Sequence, residues 1–309
     1  MPHVEIRKAG WLTTVQDAGR WGHQAQGVSV SGPMDWASHT LANQLVRNPA
    51  EAATLEVTMG GLELAFGGNA RFAVTGAEFQ LDLSGRLAPM NRAVDAVGGS
   101  VLKFGPRQRG ARAYVAVAGG VNVPPVLGSR ATHIASHLGG LDGRALQVGD
   151  RLPVGSESVT QEDVAHPIAV RMPEGGARVR VLPGPHLHRL LPRSWETLRS
   201  SRYVLSPKSD RMGYRLEGQP LPRGSDEELI SGATVAGALQ VPASGLPILL
   251  MADRATTGGY PILAVVISAD LPLVGQLAPG DWIEFASCTH DEALDALRKL
   301  RHPLGRPAA

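Results

Sequence analysis

The sequence predicts a mainly β chain of two tandem β-rich domains, barrels or sandwiches, with a few short helices, and three observations carry that expectation. Gly-Gly pairs begin at residues 60, 67, 98, 119, 139, 175 and 258, and between them lie short apolar runs such as Ala70 to Thr75, Val101 to Phe104, Ala113 to Ala118 and Arg178 to Leu182. Many short strands with frequent turns mark barrels and sandwiches. At 309 residues the chain exceeds what one small core serves, so two domains are expected. The halves also repeat an order of features: Ser31 to Met34 against Ser209 to Met212, Glu56 against Glu228, and Gly99 to Phe104 against Gly280 to Phe285, which is what duplication of one β-domain leaves behind.

The mixture of polar residues, Pro and Gly from Val154 to Gly176 places a linker, giving an N-terminal domain over 1–165, a C-terminal domain over 166–288, and a helix and tail over 289–309. Helical periodicity predicts a helix over Met34 to Arg47, started by Ser31 and Pro33, and another over Asp291 to Arg301, opened by the Thr289 to Glu292 capping-box spacing. A shorter helix is expected near Ser194. The composition narrows the function classes. A net charge of +2 with no basic block gives no nucleic-acid footprint, and no apolar run reaches the length of a membrane span. Cys288 is the one cysteine, so an internal disulfide and a cysteine-based zinc site are excluded, and a reducing cytoplasm is the expected location. No signal peptide is visible at the N-terminus.

The stretch Leu246 to Ala269 carries the strongest functional signal. Its apolar run stops at Asp253, passes through Arg254, Thr256, Thr257, Gly258, Gly259 and Tyr260, and resumes at Pro261. Two buried strands flanking a turn that bears a carboxylate, a guanidinium, two hydroxyls and a phenol form the usual design of a binding loop. The block Thr13 to Arg20 gathers Gln16, Asp17 and Arg20, which serve either as a bracing ion pair or as a site for an anion or amide. Ser31 and Asp35 flank a Gly-Pro turn at a helix start, where capping and ligand binding both account for them. Arg130 after Gly-Ser is either an anion contact or a loop-closing arginine. Ser206 to Gly218 packs together Ser209, Asp210, Arg211, Tyr214, Arg215 and Glu217, an ion-pair network or a site. The chain has no GxxxxGK[ST] loop, GxGxxG after a strand, HExxH or Gly-x-Ser-x-Gly elbow, and no lysine between two methionines. No metal and no covalent biotin are therefore expected on it.

Taken together, Thr13-Thr-Val-Gln-Asp-Ala-Gly-Arg20, Ser31-Gly-Pro-Met-Asp35, Leu41-Ala-Asn43, Arg112 to Gly120, Val126-Leu-Gly-Ser-Arg130, Ser209 to Gly218, Glu228-Leu-Ile-Ser231 and Thr256-Thr-Gly-Gly-Tyr-Pro261 resemble the C-subunit family of bacterial ATP-dependent 5-oxoprolinases, also described as KipA-like or allophanate hydrolase subunit two. The resemblance spans Val4 to about Phe285. It implies two tandem cyclophilin-like β-barrels, the A-type and KipI-like B-type subunits of 5-oxoprolinase as partners, ATP used at the level of the complex, and a small-molecule substrate, 5-oxo-L-proline, opened to L-glutamate. Its alternatives are the carboxyltransferase part of a biotin-dependent urea carboxylase and a KipA-like regulatory protein that binds a KipI-like partner. It further implies Asp253, Tyr260 and Asp17 as catalytic, with Gln16, Arg20, Ser31, Asp35, Arg130, Ser209, Arg211, Tyr214, Thr256, Thr257, Gly258 and Gly259 contacting substrate. Family members usually carry Gln where Ala255 stands, Ser at Ala131, Pro at Ala243 and Glu at Gly232. Of these departures Ala255 matters most, because it removes a polar group from the loop.

Overall fold

The computed structural model describes residues 2–156, 171–224 and 229–301. The expected break between 165 and 166, Glu228 and the tail from His302 lie outside these residues. The chain divides into two compact units, Met1–Arg20 with Ser31–Met172, and Trp21–Val30 with Pro173–Ala309. The mainly β expectation holds in both. The short segment Trp21–Val30, which the sequence places in the first domain, packs with unit 2, where the Ser29 hydroxyl donates to the Arg254 carbonyl at 2.9 Å.

Unit 1 contains β1 (His3–Ala9), β2 (Leu12–Gln16), α1 (Trp36–Leu45), β3 (Thr54–Thr58), β4 (Leu62–Phe66), β5 (Ala70–Leu83), β6 (Arg86–Ala88), β7 (Ala93–Ala96), β8 (Val101–Val117) and β9 (Arg151–Pro153). The strands form a nine-stranded half-barrel in the order β2-β3-β8-β4-β1-β9, with β5 bonded to β6, β7 and β8. The apolar runs Val101 to Phe104 and Ala113 to Ala118, read from the sequence as separate, belong to one strand: β8 continues through Gly105 and Pro106 for 17 residues, paired with the 14 residues of β5. Three register shifts between Gly76 and Leu81 absorb the extra residues, so the bulged pair bends without ending. Its apolar face, with Phe72, Val74, Leu81, Leu102 and Val115, packs against Ile6, Leu55, Leu64 and Phe66. The Phe66 and Phe72 rings stand 5.0 Å apart.

Helix α1 begins two residues later than the sequence suggested. Its N-cap is Asp35, whose carboxylate accepts from the Ser38 N–H at 2.9 Å, and Ser31 stands outside the helix at φ 57°. Asp35 outcompetes the Ser31-Pro33 signal because its carboxylate reaches the third amide of the first turn and complements the positive end of the helix.

Unit 2 contains β10 (Gly176–Pro183), α2 (Pro192–Ser200), β11 (Arg202–Leu205), β12 (Gly213–Glu217), β13 (Gly232–Ala233), β14 (Ala238–Gln240), β15 (Ile248–Leu250), β16 (Thr257–Gly258), β17 (Ile262–Val266), α3 (Leu271–Gly275), β18 (Trp282–Ser287) and α4 (His290–Arg301). Seven of these strands close a barrel in the order β10-β17-β14-β15-β12-β11-β18, sealed by the parallel pairing of β10 with β18. Val179, Tyr203, Leu216, Leu239, Leu249, Leu263 and Phe285 are buried. The capping box at α4 forms as expected: the Thr289 N–H donates to Glu292 at 2.7 Å, and the Glu292 N–H donates to the Thr289 hydroxyl at 3.2 Å.

The topology explains the polar loop. β15 and β17 both pair antiparallel with β14, so they run parallel to each other with β14 between them. A parallel connection must travel back along the intervening strand. Residues 251–261 make that crossing, and midway along it β16 pairs with β13.

Candidate functional site

In unit 1 the block after β2 is bound to the loop 126–132. The Asp17 carboxylate accepts from the Gly19 N–H at 3.0 Å, the Ser129 hydroxyl at 2.6 Å and the Arg130 N–H at 2.5 Å. Arg20 has no solvent exposure; its Nε donates to the Val126 carbonyl at 2.9 Å, and its Nη2 donates to the Ala131 carbonyl at 2.9 Å and the Ser129 carbonyl at 3.5 Å. Gln16 donates through Nε2 to the Thr132 carbonyl at 3.1 Å and the Thr14 hydroxyl at 3.0 Å. Arg130 turns back on its own loop, bonding the Val123 carbonyl and the Asn122 side chain, each at 2.8 Å. Each of these side chains therefore fastens a segment more than a hundred residues away or closes its own turn.

Gln16 Oε1 and the Ser31 hydroxyl are buried with no hydrogen-bond partner among the described residues. Ser31 and Gly32 both occupy the left-handed region, at φ 57° and 87°. A Cβ at Gly32 would come within 3.2 Å of the Asp17 carbonyl and of Gly19, so the Ser31 turn rests directly on the Asp17 turn. A non-glycine residue in that region is strained, and such strain concentrates where a ligand is held.

Behind this turn lies a buried network that sequence reasoning did not identify as functional. Glu56 Oε2 accepts from the Met34 N–H at 2.9 Å and the Tyr114 hydroxyl at 2.7 Å, while the Tyr114 hydroxyl accepts from the Asp35 N–H at 2.8 Å. Complete burial, together with the Glu56 and Asp35 carboxylates, holds the Tyr114 phenol well above its ordinary titration range. A buried glutamate inside the apolar run Thr54 to Thr58 was the available signal.

In unit 2 the decisive contact joins the two densest polar blocks. Arg211 forks onto Asp253, with Nε to Oδ2 at 2.8 Å and Nη2 to Oδ1 at 2.9 Å, and the backbones pair as well, since the Asp253 N–H donates to the Arg211 carbonyl at 2.8 Å. Both side chains are buried. Asp210 accepts from the Met212 and Gly213 amides, and the Ser209 hydroxyl accepts from the Arg215 N–H, so these two residues shape the turn into β12. Tyr214 stands in β12 at 2% exposure, among the core residues.

Along the crossing loop, Thr257 and Gly258 pair with β13, while Thr234 bonds the Ala255 and Thr256 carbonyls through its hydroxyl and N–H. Tyr260 is 48% exposed. Gln240, at the end of β14, is buried, and its Nε2 has no hydrogen-bond partner among the described residues; a Cβ at Gly258 would approach that nitrogen to 2.5 Å. The loop therefore passes directly over the Gln240 amide at Gly258.

Comparison with known proteins places this architecture. A family model described as carboxyltransferase domain, subdomain A and B, matches residues 26–287. The chain belongs to that carboxyltransferase-domain family. It is 42% identical over 95% of its length to the C subunit of Escherichia coli 5-oxoprolinase, covering 94% of that protein, and 35% identical over 96% of its length to the Haemophilus influenzae protein of the same name. Saccharomyces cerevisiae urea amidolyase is 32% identical over 94% of this chain, a match to 17% of the larger protein. A solved structure of urea amidolyase from K. lactis superposes with a TM-score of 0.90 at 29% identity, covering 98% of this chain and 20% of the other.

For this carboxyltransferase-domain chain the structure brings Gln16, Asp17, Arg20 and Arg130 into one cluster, with Ser31 against it, and joins Arg211 to Asp253. Asp35 is separated from that cluster by its capping task, and Ser209 and Tyr214 by their places in a turn and in the barrel. Two cavities of about 450 and 530 Å³ in unit 1, one lined by Arg47, Arg71 and Asp95 and the other by His3, Glu63 and Lys103, contain none of the expected site residues. Among the described residues no group of three or more His, Cys, Asp or Glu is placed to hold a metal ion, and no helix is long and apolar enough to cross a membrane.

Proposed function

We propose that this chain is the C subunit of an ATP-dependent 5-oxoprolinase, acting with the A-type and KipI-like B-type subunits to open 5-oxo-L-proline to L-glutamate. The observation that carries the reading is the match along almost the whole length of both chains to the C subunit of E. coli 5-oxoprolinase. Lactam opening asks a protein for three things: an anchor for the carboxylate, donors toward the carbonyl oxygen as charge develops there, and a group that manages a proton. Asp253, Tyr260 and Asp17 are our candidates for proton handling and orientation. Gln16, Ser31 and the loop Thr256 to Gly259 are our candidates for substrate contact, with Arg20, Arg130, Asp35, Ser209, Arg211 and Tyr214 shaping the surfaces around them.

ATP belongs to the assembled complex on this reading, and the chain alone turns over no substrate. A cytoplasmic location fits a chain with one thiol, Cys288. The test is coupled ATP hydrolysis and glutamate formation by separately purified A, B and C subunits. Activity is expected only when all three are present, and full activity without this chain would sink the reading. A second reading, a biotin-dependent urea carboxyltransferase, is favoured by the 0.90 superposition on urea amidolyase. It predicts urea-dependent consumption of a carboxylated biotin carrier in the presence of this chain, and no glutamate.

A further inference from the structure

A substrate bearing a carboxylate needs a cation that the protein has left available, and the candidate arginines differ sharply in this respect. Arg20 is enclosed by backbone carbonyls, Arg211 is forked onto Asp253, Arg112 lies 4.0 Å from the Glu56 carboxylate, and Arg130 is bonded to a carbonyl and an amide oxygen. Arg254, which the sequence placed in the polar loop without assigning it a role, stands apart. Its side chain is partly buried, its Nη1 donates to the Met251 carbonyl at 3.3 Å, and its Nε is sealed from solvent without a hydrogen-bond partner. No carboxylate among the described residues forms an ion pair with it. The adjacent carboxylate, Asp253, is held on both oxygens by Arg211.

The backbone of Arg254 is fixed on both sides, its N–H donating to the Met251 carbonyl at 3.3 Å and its carbonyl accepting from the Ser29 hydroxyl at 2.9 Å. Burial alone lowers its pKa, with no neighbouring charge acting in the opposite direction. A guanidinium removed from water without a counter-charge is unfavourable, and an anion docking on it relieves that penalty. The same loop passes over the unfilled Nε2 of Gln240, a neutral donor. A rigid loop carrying one uncompensated cation and one uncompensated neutral donor suits a small molecule with a carboxylate and a second, uncharged acceptor.

We propose that Arg254 is the carboxylate receptor of unit 2, binding the acid group of the small-molecule substrate through its guanidinium. The identity of that acid as 5-oxo-L-proline rests on the 5-oxoprolinase reading above. The purified full chain would be titrated with three probes, acetate (carboxylate alone), 2-pyrrolidinone (lactam alone) and 5-oxo-L-proline (both), following the backbone amide resonances of residues 253–260.

Acetate and 5-oxo-L-proline are expected to shift these resonances, with 2-pyrrolidinone binding at least about tenfold more weakly than 5-oxo-L-proline, the factor that one charge-assisted contact supplies. Arg254→Met should abolish that preference while the chain keeps the wild-type circular dichroism spectrum, and Arg254→Lys should retain part of it. A carboxylate response that survives Arg254→Met, or that is missing from the wild type, overturns the proposal. Acetate binding as tightly as 5-oxo-L-proline, with both lost in Arg254→Met, would keep the receptor and remove 5-oxo-L-proline as its ligand.

Discussion

The Arg211–Asp253 pair offers the sharpest test of what holds the crossing loop in place. Asp253→Ala leaves a buried guanidinium without either of its two carboxylate bonds, which measure 2.8 and 2.9 Å, in a site where both side chains are 6–7% exposed. Breaking one member of a buried ion pair costs about 3–5 kcal/mol, because the surviving charge stays desolvated. The backbone bond from the Asp253 N–H to the Arg211 carbonyl remains in the variant, so the lower half of that range is expected. Replacing both residues by apolar ones of similar size, Arg211→Met with Asp253→Leu, removes both charges together and should cost clearly less than Asp253→Ala alone. Urea denaturation followed by circular dichroism reads the difference. A single-variant cost below about 1 kcal/mol, or a double variant as unstable as the sum of the two singles, would refute the claim that this pair acts as one buried unit.

Three further outcomes follow from the same structure. Tyr114→Phe removes the donor to Glu56 and the acceptor of the Asp35 N–H, and should lower stability by about 1–3 kcal/mol in urea denaturation. Gly139→Ala places a Cβ against the Ala131 carbonyl and the Arg20 guanidinium at φ 65°; left-handed strain of about 1–2 kcal/mol adds to the clash, so thermal denaturation should show a larger loss than at Gly149, which has φ 90° and open space beside it. Asp150 is held below the usual carboxylate range, chiefly by its hydrogen bond from Arg144. Its folded-state value is depressed, so its contribution is present above the unfolded value of about 3.9 and disappears as pH falls through the folded value. Asp150→Asn should therefore lose less stability than the wild type between about pH 5 and pH 2, measured by urea midpoints at each pH.

Local patterns in the sequence were legible and distant pairings were not. The Thr289–Glu292 box and the periodicity around Leu41 are local, and each produced its helix within a few residues of the expected bounds. The length of β8 was hidden because the runs Val101 to Phe104 and Ala113 to Ala118 are separated by Gly105, Pro106 and Gly110, whereas register shifts in its partner strand let the ladder continue past them. The partners of the site residues are separated by 42 positions for Arg211 and Asp253, 58 for Glu56 and Tyr114, and 112 for Asp17 and Ser129. Residue type announced that these side chains were unusual; which of them satisfied each other depended on the fold. Arg254 was visible in the sequence too, but its lack of a counter-ion became apparent only once Asp253 was found on Arg211.

The same division of labour recurs in the two units. In each, the carboxylate singled out by the sequence ties two loops together: Asp17 receives donors from the loop after Val126, and Asp253 receives Arg211. Both carboxylates thereby fix the position of the loop that carries them. Among the buried polar atoms without a hydrogen-bond partner in the described residues are the Ser31 hydroxyl, Gln16 Oε1, Gln240 Nε2 and Arg254 Nε. Apart from Arg254 they are neutral, and all are groups that bind and orient. Tyr260, nearly half exposed on the crossing loop, is the expected catalytic side chain least constrained by its surroundings.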